Sequence, residues 1–248
     1  MTMTIDSNSN KRLLQLEGAY NVRDIGGYGA AEGLTVQKGR FLRADGLHRL
    51  TDGDQDAIVG MGVRTVIDLR HAQELAQKRN VFNGSERANY YNISLINPAT
   101  STNMNIRSLG DMYVNMLDEC GHLLREVFER MAEAEGDCVL FHCAAGKDRT
   151  GVVAALLLDL AGVERSVIVA DYAETEVNLA PIMDELRKDR PEQIPAEMYE
   201  LFLGSAPSNM EMMLDHLHGN FGGAESYFAR IGLSDEQIAV LKRMLLQP

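Results

Sequence analysis

A cysteine and an arginine with five residues between them lie in the stretch from His142 to Gly151, which reads His-Cys-Ala-Ala-Gly-Lys-Asp-Arg-Thr-Gly. A cysteine thiolate is a strong nucleophile, and an arginine guanidinium can bind two phosphate oxygens with its planar fork. Because several residues between Cys143 and Arg149 are small, the backbone N–H groups there can come close to a ligand. The pattern predicts a loop that binds an oxyanion next to a nucleophile.

The flanking sequence predicts the elements that would hold this loop. Residues 137–141 form a mostly apolar run typical of a buried strand, and residues 150–161 form an apolar run typical of a buried helix that ends near Gly162. A loop between a strand and a helix N-terminus directs N–H groups and the positive end of the helix dipole at one point. The same donors would stabilise the thiolate of Cys143. The residues expected to bind the anion are Ala144, Ala145, Gly146, Lys147, Asp148 and Arg149.

Four segments of the chain have the composition of strands. They lie near residues 40–45, 64–69, 89–95 and 137–143, with helical patterns between them and a helical second half. This alternation predicts an α/β fold with a central, mostly parallel sheet flanked by helices and a helical C-terminal elaboration. The loop would then lie at the carboxyl edge of a central strand, where open α/β sheets bind ligands.

The length of 248 residues suits one elaborated domain better than two. We expect a disordered N-terminus over residues 1–12, because it is polar, and a single domain over residues 13–248. Residues 181–218 contain proline-bounded, methionine-rich amphipathic segments, which belong either to the core or to a helical lid over a pocket. Residues 98–109 predict a loop, and the apolar spacing over residues 111–135 predicts a helix.

Charged residues outside the loop are interpreted first as structural. Arg23 and Asp24, followed by two glycines, predict a tight turn held by a salt bridge, with a position at the rim of the site as the alternative. Asp68, Arg70 and the nearby Glu74 predict a structural ion pair or a helix cap. A catalytic role for Asp68 is the alternative.

Composition limits the classes of partner and the compartment. The chain has 36 acidic and 24 basic residues and a net charge of -12, which argues against nucleic acid and against stable membrane association. Three cysteines do not suggest a disulfide framework, and Cys120 and Cys138 predict inert thiols. Without an apolar leader we expect a cytoplasmic protein, although signal-independent secretion would leave no trace. No cysteine or histidine pattern has metal spacing, so no metal and no other cofactor is expected.

These segments resemble a known family. His142-Cys-x5-Arg149-Thr150 matches the signature of the cysteine-dependent protein tyrosine phosphatase superfamily, and the Gly-Lys-Asp inside the loop is similar to its bacterial and fungal tyrosine/serine phosphatase branch. The resemblance extends in patches from about residue 13 to the end of the chain. The similar segments outside the loop are residues 21–28, 41–43, 68–70, 171–172 and 221–246.

The resemblance implies a phosphomonoester hydrolase with a cysteinyl-phosphate intermediate, first of all a protein tyrosine phosphatase of dual or broad specificity. Cys143 would attack phosphorus, while Arg149 and the loop N–H groups would stabilise charge on the equatorial oxygens. Thr150 would donate its hydroxyl to the sulfur, and His142 would orient Cys143. The substrate would be a phosphorylated protein or a phosphoinositide, and phosphate or another oxyanion would be a ligand.

The sequence departs from the family at the proton donor. The family usually carries an aspartate on a loop well upstream of the cysteine, but the comparable place just past Leu95 offers Asn97, which cannot supply a proton. Asp148 is the local substitute, because myotubularin-like lipid phosphatases carry an aspartate at the same loop position. The equally weighted alternative is that Asp148 caps the following helix or pairs with an arginine.

Other functions stay open from the sequence alone. A lysine within the loop, here Lys147, also occurs in phosphoinositide phosphatases, so phosphoinositide hydrolysis is an alternative to protein dephosphorylation. A rhodanese-like sulfurtransferase also places a cysteine in a strand-to-helix loop, but Arg149 and Thr150 fit it poorly. A catalytically inactive phosphate-binding module is suggested by Asn97.

Overall fold

The computed structural model describes residues 12–95, 107–188, 190 and 195–248. The segment before residue 12 and Asn97 therefore lie outside the described residues. The strands are β1 (Arg23–Asp24), β2 (Thr35–Val36), β3 (Phe41–Ala44), β4 (Val63–Asp68), β5 (Asn89–Asn92), β6 (Cys138–His142) and β7 (Leu246–Gln247). The helices are α1 (Asp52–Gly60), α2 (Ala72–Gln77), α3 (Leu109–Glu119), α4 (Gly121–Glu133), α5 (Asp148–Leu160), α6 (Arg165–Leu179), α7 (Met183–Lys188), α8 (Ala196–Leu203), α9 (Pro207–His216), α10 (Ala224–Ile231) and α11 (Asp235–Leu245).

The central sheet has five strands in the order β1-β3-β6-β4-β5. Strand β6 runs parallel to both of its neighbours, β3 and β4, and only β1 is antiparallel. The register pairs Ala44 and Asp68 with His142, so three strands end side by side at one edge of the sheet. The expected α/β architecture with a mostly parallel sheet is confirmed, and the four predicted strands are β3 to β6.

Strand β6 lies at the centre of the fold because its side chains are apolar on both faces. Val139 and Phe141 belong to one hydrophobic cluster and Leu140 to the other, as the two-residue period of a strand requires. Helix α5 packs against the first cluster and is buried almost all round. The loop after β6 is therefore anchored at both ends in the core.

The second half of the chain is helical, as predicted, and it packs on the same face as α5. Helix α9 lies against α3 and α6, and helices α10 and α11 lie against α4. Helix α9 comes close to α3 at Gly110, where a Cβ atom would lie 2.8 Å from the sulfur of Met212 and 3.4 Å from Cα of Asn209. Strand β7 pairs with β2, so the C-terminus is joined to the N-terminal part of the chain.

Three local predictions need correction. Residues 111–135 form two helices, because the chain turns at Cys120 and Gly121 then lies against Ile231 of α10. The loop predicted over residues 98–109 lies mostly outside the described residues, but Leu109 already begins α3 behind the N-cap Ser108. Arg23 and Asp24 form strand β1 instead of a turn.

Candidate active site

The predicted loop connects the buried end of β6 to the first turn of α5. Cys143 follows β6 directly and is 1% exposed. Gly146 has a φ of +66°, and a Cβ atom there would lie 2.5 Å from the carbonyl oxygen of Ala44. Only glycine fits this position, because both the backbone conformation and the space exclude a side chain. The glycine within the motif therefore sets the path of the loop over β3.

The carbonyl groups of the loop are bound from outside the loop, which fixes the direction of its peptide planes. The Gly46 N–H donates to the carbonyl of Ala144 at 2.8 Å. The side-chain amide of Asn21 donates to the next two carbonyls, those of Ala145 at 3.0 Å and Gly146 at 3.2 Å. A peptide whose C=O points outward points its N–H inward, so the inner side of the loop is lined with donors. No described residue accepts from the N–H groups of residues 144–147.

Arg43 reaches the same loop from strand β3. Its Nη2 donates to the Gly146 carbonyl at 2.9 Å, and its Nη1 binds the carboxylate of Asp171. Asp171 on α6 also binds Arg23 at 3.3 Å and Arg12 at 3.0 Å. Burial alone would raise the pKa of Asp171, but the three arginine charges hold it well below its usual range.

Arg23 is buried with Arg43 behind the loop and not at its rim. Burial and the neighbouring Arg43 lower the pKa of Arg23 to about 10. The predicted salt bridge between Arg23 and Asp24 is wrong, because successive side chains of a strand point to opposite faces of the sheet and these two residues form β1. Asp24 instead accepts from the N–H groups of Gly26 and Gly39, both at 2.7 Å.

His142 forms the other support of the loop. Its Nδ1 lies 2.9 Å from the Cys143 carbonyl, and its Nε2 lies 2.8 Å from the amide nitrogen of Asn80 and 3.2 Å from Asp68. Asp68 also pairs with Arg70 at 2.7 Å, and the pKa of Asp68 is lowered by His142 and Arg70 despite its burial. The structural ion pair predicted for Asp68 and Arg70 is confirmed.

Arg149 is held by a carboxylate from α2. Glu74 accepts from Nη1 of Arg149 at 2.7 Å and from Nη2 at 2.8 Å, while Nη1 also lies 3.4 Å from the Leu69 carbonyl. Burial alone would lower the pKa of Arg149, but the Glu74 hydrogen bonds and charge raise it. The guanidinium is therefore charged and fixed in orientation.

Asp148 begins α5 and faces the pocket. Its Oδ1 accepts from the hydroxyl of Tyr113 at 2.5 Å and lies 3.5 Å from Nζ of Lys147. The Tyr113 hydroxyl in turn lies 2.8 Å from that of Tyr172. The helix cap and the arginine pair that the sequence suggested for Asp148 are both absent among the described residues. Its described partners are a tyrosine and a lysine, and no side chain caps α5.

A cavity of about 510 Å³ opens beside the loop. Ala144, Ala145, Lys147 and Asp148 form one wall, and residues of α7 and α8 form the opposite wall. The ammonium group of Lys147 donates to the carbonyls of Phe202 and Gly204 at the end of α8, the latter at 2.9 Å. Glu185 of α7 binds Arg49 at 2.7 and 2.9 Å across the cavity.

The structure thus brings together the predicted residues 142–149 in one loop. Thr150 does not make the contact that was expected of it. The Thr150 hydroxyl is buried and has no partner among the described residues, so the expected bond to the sulfur is not formed here. All three cysteines are buried and none forms a disulfide, and burial raises the pKa of Cys138 to about 12, as suits an inert thiol.

Sequence reasoning missed Asn21, Glu74 and Tyr113 as parts of the site. Asn21 stands in one of the segments that carry the family resemblance, which was a usable signal. Glu74 was expected near Asp68 and Arg70, and it closes the capping box of α2 with His71. Nothing in the sequence indicated a role for Tyr113 in the site, because its position has the spacing of an apolar, core-facing residue of a helix.

Within the described ranges, the helices are too short or too polar to span a lipid bilayer. The same ranges contain no group of three His, Cys, Asp or Glu side chains arranged to hold a metal ion.

Comparison with known proteins agrees with this geometry. The model of a tyrosine phosphatase family matches residues 14–247. A tyrosine-protein phosphatase of Nostoc commune is 36% identical over 233 residues, which cover 88% of this chain and 78% of that protein. The triple specificity protein phosphatase PtpB of Mycobacterium tuberculosis is 27% identical over 285 residues, which cover 94% of this chain and 98% of that protein. A family model that spans nearly the whole chain, with a relative this similar, confirms the expected class of enzyme: the chain belongs to the tyrosine phosphatase family, whose members are cysteine-dependent phosphatases.

Proposed function

We propose that this enzyme hydrolyses phosphomonoesters of proteins with broad specificity, including phosphotyrosine and phosphoserine or phosphothreonine. One observation carries the proposal: a buried cysteine lies at the entrance of a loop whose outward-bound carbonyls turn its N–H groups inward, beside a charged and fixed arginine. Such a set of donors suits a phosphoryl group in which negative charge spreads over three oxygens.

In the first step, the thiolate of Cys143 attacks phosphorus and forms an S–P bond while the P–O bond to the leaving group breaks. The leaving oxygen takes a proton from the carboxyl group of Asp148. In the second step, Asp148 as carboxylate takes a proton from water, and the water oxygen displaces the sulfur to release inorganic phosphate. Atoms and charge balance without a cofactor or metal.

Arg149 binds the phosphoryl group through the edge that Glu74 leaves available. The pair with Glu74 uses one N–H from each terminal nitrogen. The Nε–H and the second N–H of Nη2 lie side by side on the remaining edge and match two phosphate oxygens. Glu74 thus orients the guanidinium without consuming the donors that the substrate needs.

His142 and Thr150 support the nucleophile in this proposal. The Nδ1 contact of His142 holds the Cys143 carbonyl and thus the backbone that carries the sulfur. The buried hydroxyl of Thr150 is a donor for the sulfur when it becomes a thiolate leaving group. The thiol must stay reduced to act, which favours the cytoplasm as its compartment.

The cavity favours a phosphorylated side chain of a protein as the substrate. Because two helices, α7 and α8, form one wall of the cavity, we extend the proposal to a lid. Within the predicted range of residues 181–218, helices α7 and α8 form the lid of a single domain over residues 13–248, and Lys147 and Arg49 hold the lid through α8 and α7. Helix α9 lies in the same range but is packed into the core, so it is not part of the lid. Lys147 would bind substrate phosphate once it exchanges those carbonyls for it. Phosphoinositide hydrolysis is the second candidate, since Lys147 from the loop and Arg49 both line the cavity and could bind a polyanionic head group.

The experiment is a turnover panel on the full chain. Equal concentrations of an aryl phosphate, phosphotyrosine, phosphoserine and phosphothreonine peptides, and a phosphoinositide in mixed micelles are compared by phosphate release. Turnover of aryl phosphate and of both peptide classes supports the proposal. Hydrolysis of the phosphoinositide alone favours the second candidate, and no turnover of any phosphomonoester overturns both.

A further inference from the structure

A chain of hydrogen bonds leads from the start of α3 to the pocket side of α5. The Gly110 N–H donates to Oδ1 of Asn209 on α9 at 3.1 Å. Burial raises the pKa of Tyr172, whereas the neighbouring side chain of Asn209 lowers it, as a donor to the Tyr172 hydroxyl does. The Tyr172 hydroxyl lies 2.8 Å from that of Tyr113, which donates to Asp148 at 2.5 Å. Four helices, α3, α5, α6 and α9, therefore meet in one polar chain within an otherwise apolar region.

The order of protons along this chain is fixed at its far end. A backbone N–H can only donate, so Gly110 commits Oδ1 of Asn209 as acceptor and leaves the amide NH₂ group to donate to Tyr172. Tyr172, having accepted from Asn209, donates to Tyr113, and Tyr113 donates to Asp148. Reversal would require the amide NH₂ group of Asn209 to accept a hydrogen bond, which it cannot do.

The fixed order decides which oxygen of Asp148 carries a proton. Oδ1 accepts from Tyr113, and the Lys147 ammonium lies 3.5 Å from the same oxygen. A proton on Oδ1 would oppose both donors, so the acid form of Asp148 has its proton on Oδ2. Both tyrosines are buried and pack edge to face with ring centroids 5.8 Å apart, which holds the donor still. Burial raises the pKa of Tyr113 well above its usual range, so it stays a donor.

We infer that Tyr113 is a positioning residue for proton transfer: supported by Tyr172 and Asn209, it keeps the Asp148 proton on Oδ2 for the leaving group. The inference rests on the proposed role of Asp148 as general acid. Each hydrogen bond in the chain polarises the next, so loss of a tyrosine hydroxyl weakens the control of Asp148 without removing the acid itself.

The test compares an aryl phosphate, whose leaving group hardly needs a proton, with a phosphoserine peptide, whose alkoxide leaving group does. For Tyr113→Phe, we expect turnover of the phosphoserine peptide to fall about 10-fold and that of the aryl phosphate less than about 2-fold, part of the effect of losing the acid itself. In an Asp148→Asn background, Tyr113→Phe should add no further loss.

Tyr227→Phe is the matched control, because Tyr227 is also a buried tyrosine whose hydroxyl donates to a carbonyl, that of Leu117 at 2.8 Å, away from Asp148. It should show the same small change for both substrates. Where Tyr113→Phe does not fold, Tyr172→Phe replaces it, with the same selectivity and a smaller effect.

Equal losses on both substrates for Tyr113→Phe, with a selective loss for Asp148→Asn, would overturn the inference and leave the acid in place. A selective loss that persists in the Asp148→Asn background would overturn it as well. Equal losses for Asp148→Asn itself would remove Asp148 as the acid, and the positioning role of Tyr113 would fall with it.

Discussion

The carboxylate of Glu74 binds both terminal nitrogens of Arg149, at 2.7 and 2.8 Å. This pair links α2 to the first turn of α5, and it orients the guanidinium that the chemistry needs. The pKa of Glu74 is lowered, because the hydrogen bonds and charge of Arg149 outweigh the effect of burial. In the proposed mechanism, the pair positions Arg149 for the phosphoryl group.

Replacing Glu74 by glutamine should therefore impair catalysis more than stability. Glutamine keeps an oxygen for the cap on the His71 N–H but loses the second charged contact to Arg149. We expect kcat/KM for an aryl phosphate to fall about 10- to 100-fold, as for the loss of a charge-assisted hydrogen bond at a preorganised site. Glu86→Gln, on an exposed residue, is the control. Equal activity of both variants would show that Arg149 needs no partner.

Gly146→Ala tests whether the path of the loop over β3 is obligatory. The added Cβ would meet the Ala44 carbonyl oxygen at 2.5 Å, so the loop must shift and its donors with it. We expect activity to fall at least about 100-fold, because misplacement by an ångström can cost that much. Gly39→Ala is the matched control, since Gly39 has a φ of +72° with no atom within 4 Å of the added Cβ. It should lose about 1 kcal/mol of stability from backbone strain and keep its turnover. An active Gly146→Ala would contradict this account.

Asp171→Asn tests the buried charge cluster behind the loop. Its removal leaves Arg23 and Arg43 buried without their shared carboxylate, and we expect a loss of about 3–5 kcal/mol at neutral pH in urea unfolding. Because the folded pKa of Asp171 is lowered, its contribution is present above the unfolded value of about 3.9 and is lost as pH falls through the folded pKa. The difference between wild type and variant should therefore shrink progressively below about pH 4.

Two results would count against the cluster as described. One is a stability difference that is the same at neutral and acid pH, which would mean that the carboxylate charge does not matter. The other is an equal loss for Asp184→Asn, the control, whose side chain is 90% exposed in its pair with Arg187.

The ion pair between Arg49 and Glu185 tests the proposed lid. Glu185→Gln removes one attachment of the lid, at α7, while Lys147 still holds the end of α8. We expect a lower KM for a phosphopeptide, by about 2- to 5-fold, and an unchanged KM for a small aryl phosphate, since an exposed pair contributes at most about 1 kcal/mol. Glu200→Gln, which breaks a pair between α8 and α7 themselves, is the control. Identical shifts for both substrates would argue against a lid.

The sequence predicted what depends on local pattern. Strand β6, the loop and α5 follow from short-range periodicity and from glycine chemistry, so the positions of Cys143 and Arg149 were predictable. The partners that complete the site come from distant parts of the chain: Asn21 is 124 residues from Ala145 in sequence. Such contacts depend on strand register and helix packing, and neither can be predicted from the local sequence pattern around a residue.

The same reason explains the error at Arg23 and the missed partner of Glu74, whose helix cap was among the predictions. From the sequence, a charged residue is most simply expected to pair with the nearest opposite charge. In the structure, β1 directs Arg23 toward Asp171, and α2 directs Glu74 toward Arg149. Tyr113 shows the converse case. Its position in α3 has the spacing of a core residue, and its ring is indeed buried, while its hydroxyl alone reaches the site.

The central claim is that Cys143 is the nucleophile, and Cys143→Ser tests it most directly. A serine hydroxyl fills nearly the same space but is almost wholly protonated at neutral pH, so the fold and phosphate binding should persist while attack on phosphorus fails. We expect the variant to unfold at the wild-type temperature, to bind a phosphotyrosine peptide, and to lose at least about 10⁴-fold in aryl phosphate turnover, the scale seen when a nucleophile is removed. A folded Cys143→Ser variant with turnover near that of the wild type would contradict the account.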